Sequence, residues 1–233
     1  MPQTARLAPV LKGIRLLSLC LNLPGPAALM RCRQMGARCA KLEPPGPLGA
    51  PTGTSGDPMG QYNPAAYSLM HEGVRVKVAD LKTSRGQAAL HRELAKTDVL
   101  LTSFRPSALE KLGLNWKSLH RLYPALSHVA IVGSPGAGAE IPGHDLTYLA
   151  DHGLVPGLEL PATLFADMSG SLMASEAVLQ AIAAPATRWV TLTVTEKGYT
   201  SALGQLLLDG LRLRHRNGLP GLTVASCDNL AKP

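Results

Sequence analysis

Two side chains in this sequence could move protons near neutral pH, the carboxyl of Asp167 and the imidazole of His144. Asp167 stands directly before residues 168–182, whose apolar pattern predicts a helix, and the N-terminal amides of a helix favour negative charge. A carboxylate and an imidazole can serve as general base and general acid. Each residue also has an ordinary structural explanation, because Asp is a common N-cap and His144 lies in a polar Gly-His-Asp turn. Spacing alone favours the structural explanation.

The formal net charge of +7 indicates an affinity for phosphate groups. The basic residues are spread along the chain and are not interleaved with aromatic side chains, which argues against nucleic acid as a partner. A phosphorylated cofactor fits this charge better. The Gly-rich turn at residues 133–138 lacks the Gly-Lys-Ser/Thr ending of a phosphate-binding P-loop, so we interpret it as a plain loop.

The four cysteines form no CxxC pair and no Cys/His cluster with zinc spacing, which predicts no metal and a reducing cytoplasm. The apolar run at residues 16–21 follows basic residues and resembles a short signal peptide. Pro24-Gly25-Pro26 comes directly after it, and a buried strand that ends in a turn explains the run better. No stretch approaches the roughly 20 apolar residues of a membrane span.

Short aliphatic runs alternate with amphipathic stretches, and this pattern predicts an α/β fold with a parallel sheet. The predicted strands are residues 14–19, 38–43, 74–80, 98–103, 127–132, 189–195 and 222–225. The predicted helices are residues 26–36, 84–96, 106 onward, 116–122, 143–151, 168–182 and 201–217. Residues 44–60 are rich in Pro, Gly, Ser and Thr and are predicted to form a mobile surface loop.

Several specific runs occur in one order within residues 11–182. They are Lys41-Leu42-Glu43-Pro44-Pro45, Ala79-Asp80-Leu81-Lys82, Phe104-Arg105-Pro106, Lys111-Leu112-Gly113-Leu114, Gly143-His144-Asp145 and Leu164-Phe165-Ala166-Asp167. In this order they resemble the N-terminal part of the family III CoA-transferases, a superfamily that includes the 2-methylacyl-CoA racemases. The resemblance implies a Rossmann-like parallel sheet domain, with coenzyme A as the substrate thioester.

The resemblance assigns the catalytic role to Asp167 and His144. In the transferases, an Asp at the position of Asp167 attacks a CoA thioester and forms a mixed anhydride. In the racemases, that Asp and a His at the position of His144 exchange the α-proton on opposite faces of one carbon, while helix N-terminal amides stabilise the enolate oxygen. Transferases usually carry an aromatic residue where His144 stands, so the sequence leans towards the racemase pattern. Both reactions remain open.

The phosphates of CoA require cations, and the resemblance assigns this cofactor-binding role to Lys41, Arg75, Arg105 and Lys111. The loop before Arg75 reads His71-Glu72-Gly73-Val74, in which an acid and a valine stand at two positions that are normally basic in the family. We therefore expect a CoA site that is weakened rather than absent.

Residues 188–230 resemble a second family, the long-chain polyol dehydrogenases or mannitol dehydrogenase family. That resemblance rests on residues 190–199, 201–204, 218–220 and 223–230, whereas the Gly-rich cofactor turn and the catalytic Lys of that family have no counterpart. We therefore expect two units. Residues 1–184 form a truncated family III CoA-transferase large domain, and residues 185–233 form a short α/β tail from a truncated polyol-dehydrogenase-like fragment.

The leading functional hypothesis is acyl-CoA chemistry in the cytoplasm, either CoA transfer between carboxylic acids or α-epimerisation of a 2-methylacyl-CoA. One alternative is a catalytically inactive truncated or fusion protein, and another is an NAD-dependent polyol oxidoreductase, inferred from the tail. The expected partner is an acyl-CoA, with no role for nucleic acid or a membrane. Members of the resembled family form interlocked homodimers that depend on their C-terminal half, and the resemblance implies this assembly only where that half is present.

Overall fold

The computed structural model describes residues 9–183 and a strand at residues 189–193. The strands are β1 (Arg15–Ser18), β2 (Arg38–Glu43), β3 (Arg75–Val78), β4 (Val99–Thr102), β5 (Ser127–Val132) and β6 (Trp189–Thr193). The helices are α1 (Pro24–Gln34), α2 (Met59–Tyr62), α3 (Pro64–His71), α4 (Ser84–Leu94), α5 (Pro106–Lys111), α6 (Trp116–Leu122), α7 (Asp145–Asp151) and α8 (Phe165–Ala183), with a 3₁₀ turn at Gly136–Glu140. Within this part of the chain, none of the helices combines the length and the apolar character needed to cross a membrane.

The strands form one parallel sheet in the order β3-β2-β1-β4-β5-β6. This is the strand order of the Rossmann fold, and the predicted α/β architecture is confirmed. The chain reverses its direction of travel across the sheet between β1 and β4, and ligands of such sheets bind outside the carboxyl ends of the strands at that point. Strand β6, which the sequence analysis assigned to the second unit, pairs with β5 at the edge of the same sheet.

Alternate residues of the central strands face two separate apolar layers. Leu16 of β1 and Leu101 of β4 pack against α1 and α8, whereas Leu17 and Leu100 pack against α4, α5 and α6. All residues of β4 and β5 are buried, because helices cover both faces of the sheet. This double burial explains why these strands are largely aliphatic in the sequence.

The observed elements differ from the predicted ones mainly on helix α8. It begins at Phe165 and not at residue 168, so Asp167 lies in its first turn instead of preceding it. Leu172, predicted to share the buried face with Ala174, is 51% exposed. Residues two positions apart in a helix are rotated by about 200° around its axis, so the side chains of Leu172 and Ala174 point to opposite sides. The buried face carries Ala174, Ala177, Val178 and Ala181.

Residues 44–58 contain no helix or strand, as predicted, and a single bridge joins Pro45 to Ser55. Leu48 near the middle of this loop is fully exposed, but Asp57 at its end is buried. The short helices α2 and α3 that follow were missed by the sequence analysis. Only Met59, Met70 and His71 of these two helices are buried, so they carry little of the apolar periodicity that marks a helix.

Candidate active site

One cavity lies at the carboxyl edge of the sheet, where β1, β4 and β5 end. Its volume is about 280 Å³. Residues that follow these three strands, together with the starts of α7 and α8, form its wall. They are Pro24, Ser103, Phe104, Arg105, Ile131, Val132, Gly133, Ala139, Ile141, Pro142, Gly143, His144, Tyr148 and Asp167. The two predicted catalytic residues therefore line the same cavity, at the position where a Rossmann-type sheet binds its ligand.

Asp167 is held in the first turn of α8 by a neighbouring carboxylate. Its backbone N–H donates to Oδ1 of Asp145, at 3.0 Å, and Asp145 itself is buried. Burial raises the pKa of Asp167 to about 6, and the negative charge of Asp145 adds to this increase, while His144 partly opposes it. A carboxyl group with this pKa can both accept and return a proton near neutral pH.

His144 stands immediately before α7 and is exposed. Its backbone N–H donates to the hydroxyl of Thr147 at 3.3 Å, which fixes the turn that leads into the helix. The sequence prediction of a helix at residues 143–151 is thus confirmed with a start at Asp145. The imidazole lines the cavity together with Asp167, and its charge acts to lower the pKa of that carboxyl.

The Gly-rich turn at residues 133–138 contributes to the cavity wall through Gly133. The 3₁₀ turn within it ends at Glu140, whose carboxylate accepts hydrogen bonds from the N–H and the hydroxyl of Ser107, at 2.7 Å and 2.8 Å. These contacts tie the turn to the start of α5, next to Arg105. The turn therefore forms part of the cavity wall and is held by side-chain contacts to α5. This structural role agrees with its interpretation as a plain loop and not as a P-loop.

A second cavity of about 760 Å³ adjoins the first, and both are lined by Phe104. Two exposed cations, Lys82 and Lys111, lie on its wall, while the exposed Arg105 lies on the wall of the first cavity. The start of α4 completes the second cavity with Thr83, Ser84 and Gln87. Two of the four predicted phosphate ligands, Arg105 and Lys111, thus line the two cavities that share Phe104.

The structure does not bring Lys41 and Arg75 to this surface. The ammonium of Lys41 is wholly buried and contacts Glu43 at 2.7 Å and Asp57 at 2.5 Å. Arg75 starts strand β3, so it lies at the opposite edge of the parallel sheet, where it pairs with Glu93 at 2.7 Å. Both cations already have carboxylate partners, and the geometry does not support their predicted role as CoA ligands.

Lys41 belongs to a buried cluster that the sequence analysis missed. Glu43, Asp57 and His71 place ligand atoms within 4.8 Å of one another, an arrangement able to hold a metal ion. The Lys41 ammonium occupies its centre, because it also contacts Nε2 of His71 at 2.9 Å. Burial and the neighbouring Lys41 lower the pKa of His71. With Nδ1 donating to the Tyr67 carbonyl, at 2.7 Å, Nε2 is free to accept from Lys41.

Three residues of the site were not found from the sequence, namely Asp145, Tyr148 and Lys82. Asp145 and Lys82 belong to runs that carry the family resemblance. The sequence did not indicate that Asp145 accepts from the N–H of Asp167, or that Lys82 lines a cavity. Tyr148 follows His144 by four residues, a spacing that places both on one side of α7. That spacing was the available signal for a third polar side chain in the cavity.

The carboxyl of Asp167 and the imidazole of His144 lie where the strand order of this Rossmann-type sheet reverses, its switch point. Together they define an α/β domain with an acid–base site. Residues 11–188 match the sequence model of CoA-transferase family III, and the chain belongs to this family. The resemblance noted from the sequence is thereby confirmed.

The chain is similar to proteins with both activities of the superfamily. It is 33% identical over 149 residues to cinnamoyl-CoA:phenyllactate CoA-transferase of Clostridium sporogenes, covering 62% of this chain and 36% of that protein. It is 31% identical over 182 residues to alpha-methylacyl-CoA racemase of Homo sapiens, covering 74% of this chain and 44% of that protein. The chain spans less than half the length of these relatives.

The fold is that of solved family members. The crystal structure of Rv3272 from Mycobacterium tuberculosis superposes with a TM-score of 0.66 at 26% identity, over 90% of this chain and 60% of that one. A CAIB/BAIF family protein from Brucella suis has a TM-score of 0.67 at 22% identity, over 96% of this chain and 62% of that one. Residues 194–233 lie outside the described part of the chain, and the resemblance of the tail to polyol dehydrogenases stays a prediction.

Proposed function

We propose that this chain carries out acid–base chemistry on an acyl-CoA thioester, with α-epimerisation of a 2-methylacyl-CoA as the leading reaction. The observation that carries the proposal is the meeting of Asp167 and His144 in one cavity at the switch point of the sheet. An α-proton beside a thioester is weakly acidic, and a carboxylate and an imidazole on opposite faces of that carbon suit its removal and return.

In the proposed reaction, the carboxylate of Asp167 removes the α-proton from one face. The electron pair of the broken C–H bond moves towards the thioester carbonyl, whose oxygen becomes negatively charged. The His144 imidazolium then delivers a proton to the opposite face, and the pair exchanges roles for the reverse direction. A pKa of about 6 suits Asp167 to this work, because it is ionised at neutral pH yet basic enough to take the proton.

One further point favours epimerisation over transfer. The resemblance gives an aromatic residue to the transferases at the position that His144 occupies here.

The CoA moiety is proposed to lie along the two adjoining cavities. A thioester next to Asp167 would leave the pantetheine chain passing Phe104, which lines both cavities. The phosphates would then meet the cations of Arg105, Lys82 and Lys111. This arrangement needs neither Lys41 nor Arg75.

Exchange of the α-hydrogen with solvent deuterium tests the leading reaction. We expect the protein to exchange the α-hydrogen of a 2-methylacyl-CoA, and His144→Ala to slow this by roughly 10²-fold or more, because one of two proton carriers is lost. His120→Gln is the matched control, since His120 stacks on Trp116 outside the cavity. Unchanged exchange in His144→Ala would contradict the role of His144.

CoA transfer is the second candidate, and the same carboxylate supports it. An ionised Asp167 in the cavity could attack the thioester carbonyl carbon, form an acyl–carboxyl anhydride and release CoA as a thiol. Incubation with acyl-CoA and hydroxylamine would then convert Asp167 to a hydroxamate, which peptide mass spectrometry detects. Hydroxamate at Asp167 with transfer of CoA to free acids, and no α-exchange, would favour the transferase.

Binding of CoA itself should depend on salt and on Lys111. We expect Lys111→Ala to weaken CoA binding about tenfold, because a phosphate loses one charge-assisted contact. Lys117→Ala is the control, since Lys117 is exposed on α6 and outside both cavities. Calorimetry at low and high salt measures both effects, because salt screens exposed charges. Equal affinities of the two variants would contradict the proposed phosphate site.

A further inference from the structure

The side chain of Tyr148 occupies a space that two glycines leave open. A Cβ added to Gly133 would lie 2.0 Å from the Tyr148 hydroxyl, and one added to Gly143 would lie 2.7 Å from it. Real side chains essentially never approach so closely, so any larger residue at either position would displace the phenol ring. The two glycines therefore leave space for the Tyr148 ring, whose hydroxyl lies next to Gly133 at the end of β5.

The hydroxyl of Tyr148 is available to a ligand. It lines the same cavity as His144 and Asp167 and is half-buried. Among residues 9–183, it makes no hydrogen bond to another group. The hydroxyls of Tyr67 and Tyr123, by contrast, donate to the Glu43 carboxylate and to the backbone carbonyl of His91.

The backbone amides expected to stabilise an enolate oxygen are largely occupied. Three of the first four amides of α8 already donate, those of Phe165 to Thr163, Asp167 to the Asp145 carboxylate and Met168 to Leu164, at distances of 2.9–3.1 Å. Helix α8 therefore offers few free amides to an enolate oxygen, and the O–H of Tyr148, in the wall of the same cavity, is an additional donor.

We propose that Tyr148 is a further catalytic residue, whose hydroxyl donates a hydrogen bond to the thioester oxygen of the acyl-CoA as negative charge develops there. This inference deepens the proposed function and rests on it. In epimerisation, the electron pair of the C–H bond becomes the enolate, and its charge lies on that oxygen. In CoA transfer, attack by Asp167 places the charge on the same oxygen of a tetrahedral intermediate. Tyr148 keeps its proton in both cases and only donates the hydrogen bond.

The electrostatic surroundings keep Tyr148 a donor. Burial raises the pKa of its phenol, and the negative charges of Asp167 and Asp151 raise it further. The hydroxyl therefore stays protonated over the range in which Asp167 ionises. Removing one preorganised donor of this kind typically lowers kcat by roughly 10²–10³-fold.

The test compares Tyr148→Phe with the wild type and with Tyr123→Phe, which removes a hydroxyl outside the cavity. In α-exchange or transfer assays, kcat of Tyr148→Phe should fall roughly 10²-fold, whereas KM and the affinity for CoA should change little. Thermal melting should be unaffected, because the hydroxyl makes no hydrogen bond among residues 9–183. A binding probe that needs no turnover is 2-nitropropionyl-CoA, whose α-carbon ionises by itself and shares its negative charge between the nitro group and the thioester oxygen.

We expect Tyr148→Phe to bind this ionised analogue roughly 10²-fold more weakly than the wild type, with CoA affinity unchanged. Equal affinity of both proteins for the analogue, or an unchanged kcat, would overturn the role of Tyr148 alone. A wild-type protein that binds neither CoA nor the analogue would overturn the proposed function and this inference with it.

Discussion

Replacing Asp167 by asparagine is expected to lower the rate of α-hydrogen exchange by roughly 10³-fold. Asparagine keeps the size of the side chain but can neither accept the α-proton nor return it. The amide also cannot attack a thioester, so the same variant should lose CoA transfer. Measured exchange and transfer rates in one preparation therefore test the residue for both reactions that the family resemblance allows.

The wild-type rate should fall as pH is lowered through about 6. Burial and the charge of Asp145 raise the pKa of Asp167 to about 6, so the protonated form, which cannot act as a base, accumulates below that pH. A pH–rate profile of kcat/KM reports this group in the free enzyme. A lower limb near the ordinary value of 3.8 would show that the carboxyl is not perturbed in solution.

The same pKa shift has a consequence for stability with a definite sign. Since the pKa of Asp167 is raised on folding from 3.8 to about 6, its contribution to stability is present at low pH and is lost as pH rises through this range. The ionised carboxylate is therefore unfavourable in the fold at pH 7. We expect Asp167→Asn to melt at the same temperature as the wild type or higher at pH 7, although it is inactive.

The control for Asp167→Asn is Glu176→Gln, which changes an exposed acid further along the same helix. Its exchange rate and melting temperature should match those of the wild type. A fully active Asp167→Asn would remove the proposed acid–base pair, whereas an inactive variant that melts far below the wild type would indicate a structural role for this residue instead.

Much of the fold could be predicted from the sequence, because burial on both faces leaves a strong local pattern. Strands β2 and β5 have the predicted bounds, and β5 is a largely aliphatic run whose residues are all buried. Helix α6 also begins as predicted, since the Asn115 side chain accepts from the N–H of Ser118 at 3.0 Å. These signals are contained within a few consecutive residues.

The candidate site was only partly predictable, because its contacts join residues far apart in the chain. Asp167 and His144 were identified through motifs and not through their geometry. The hydrogen bond from Asp167 to Asp145 spans 22 residues, and the fit of Tyr148 against Gly133 depends on how α7 crosses the end of β5. Neither is visible as a periodic pattern.

The predicted CoA ligands were the least reliable part of the candidate site. Lys41 was assigned to CoA because it matches a position of the resembled family, and its burial was not apparent from the sequence. Its partners Asp57 and His71 lie 16 and 30 residues further along the chain, in the loop and in α3. Only the folded arrangement shows that these groups together neutralise a buried cation. Lys82, by contrast, lies on a cavity wall and received no assignment.

Lys41→Met is expected to be the most destabilising of the changes considered, lowering the free energy of unfolding by about 3–5 kcal/mol. The ammonium is 0% exposed, and it contacts Glu43, Asp57 and His71 at 2.5–2.9 Å. Methionine fills the space but leaves two buried carboxylates without a cation. Chemical denaturation of the variant and the wild type at pH 7 measures the difference.

Two comparisons separate this explanation from a simple packing defect. Lys77→Met removes an ion pair with Glu93, but Lys77 is 47% exposed, so its cost should stay below about 1 kcal/mol. The triple change of Lys41 to Met, Glu43 to Gln and Asp57 to Asn removes all the charges and should recover part of the stability lost by Lys41→Met alone. If Lys41 instead binds CoA phosphate, Lys41→Met would keep the wild-type stability and lose CoA affinity. The buried cluster predicts the reverse, a large loss of stability with little change in CoA affinity, because the Lys41 ammonium is held by Glu43 and Asp57 and lines neither cavity.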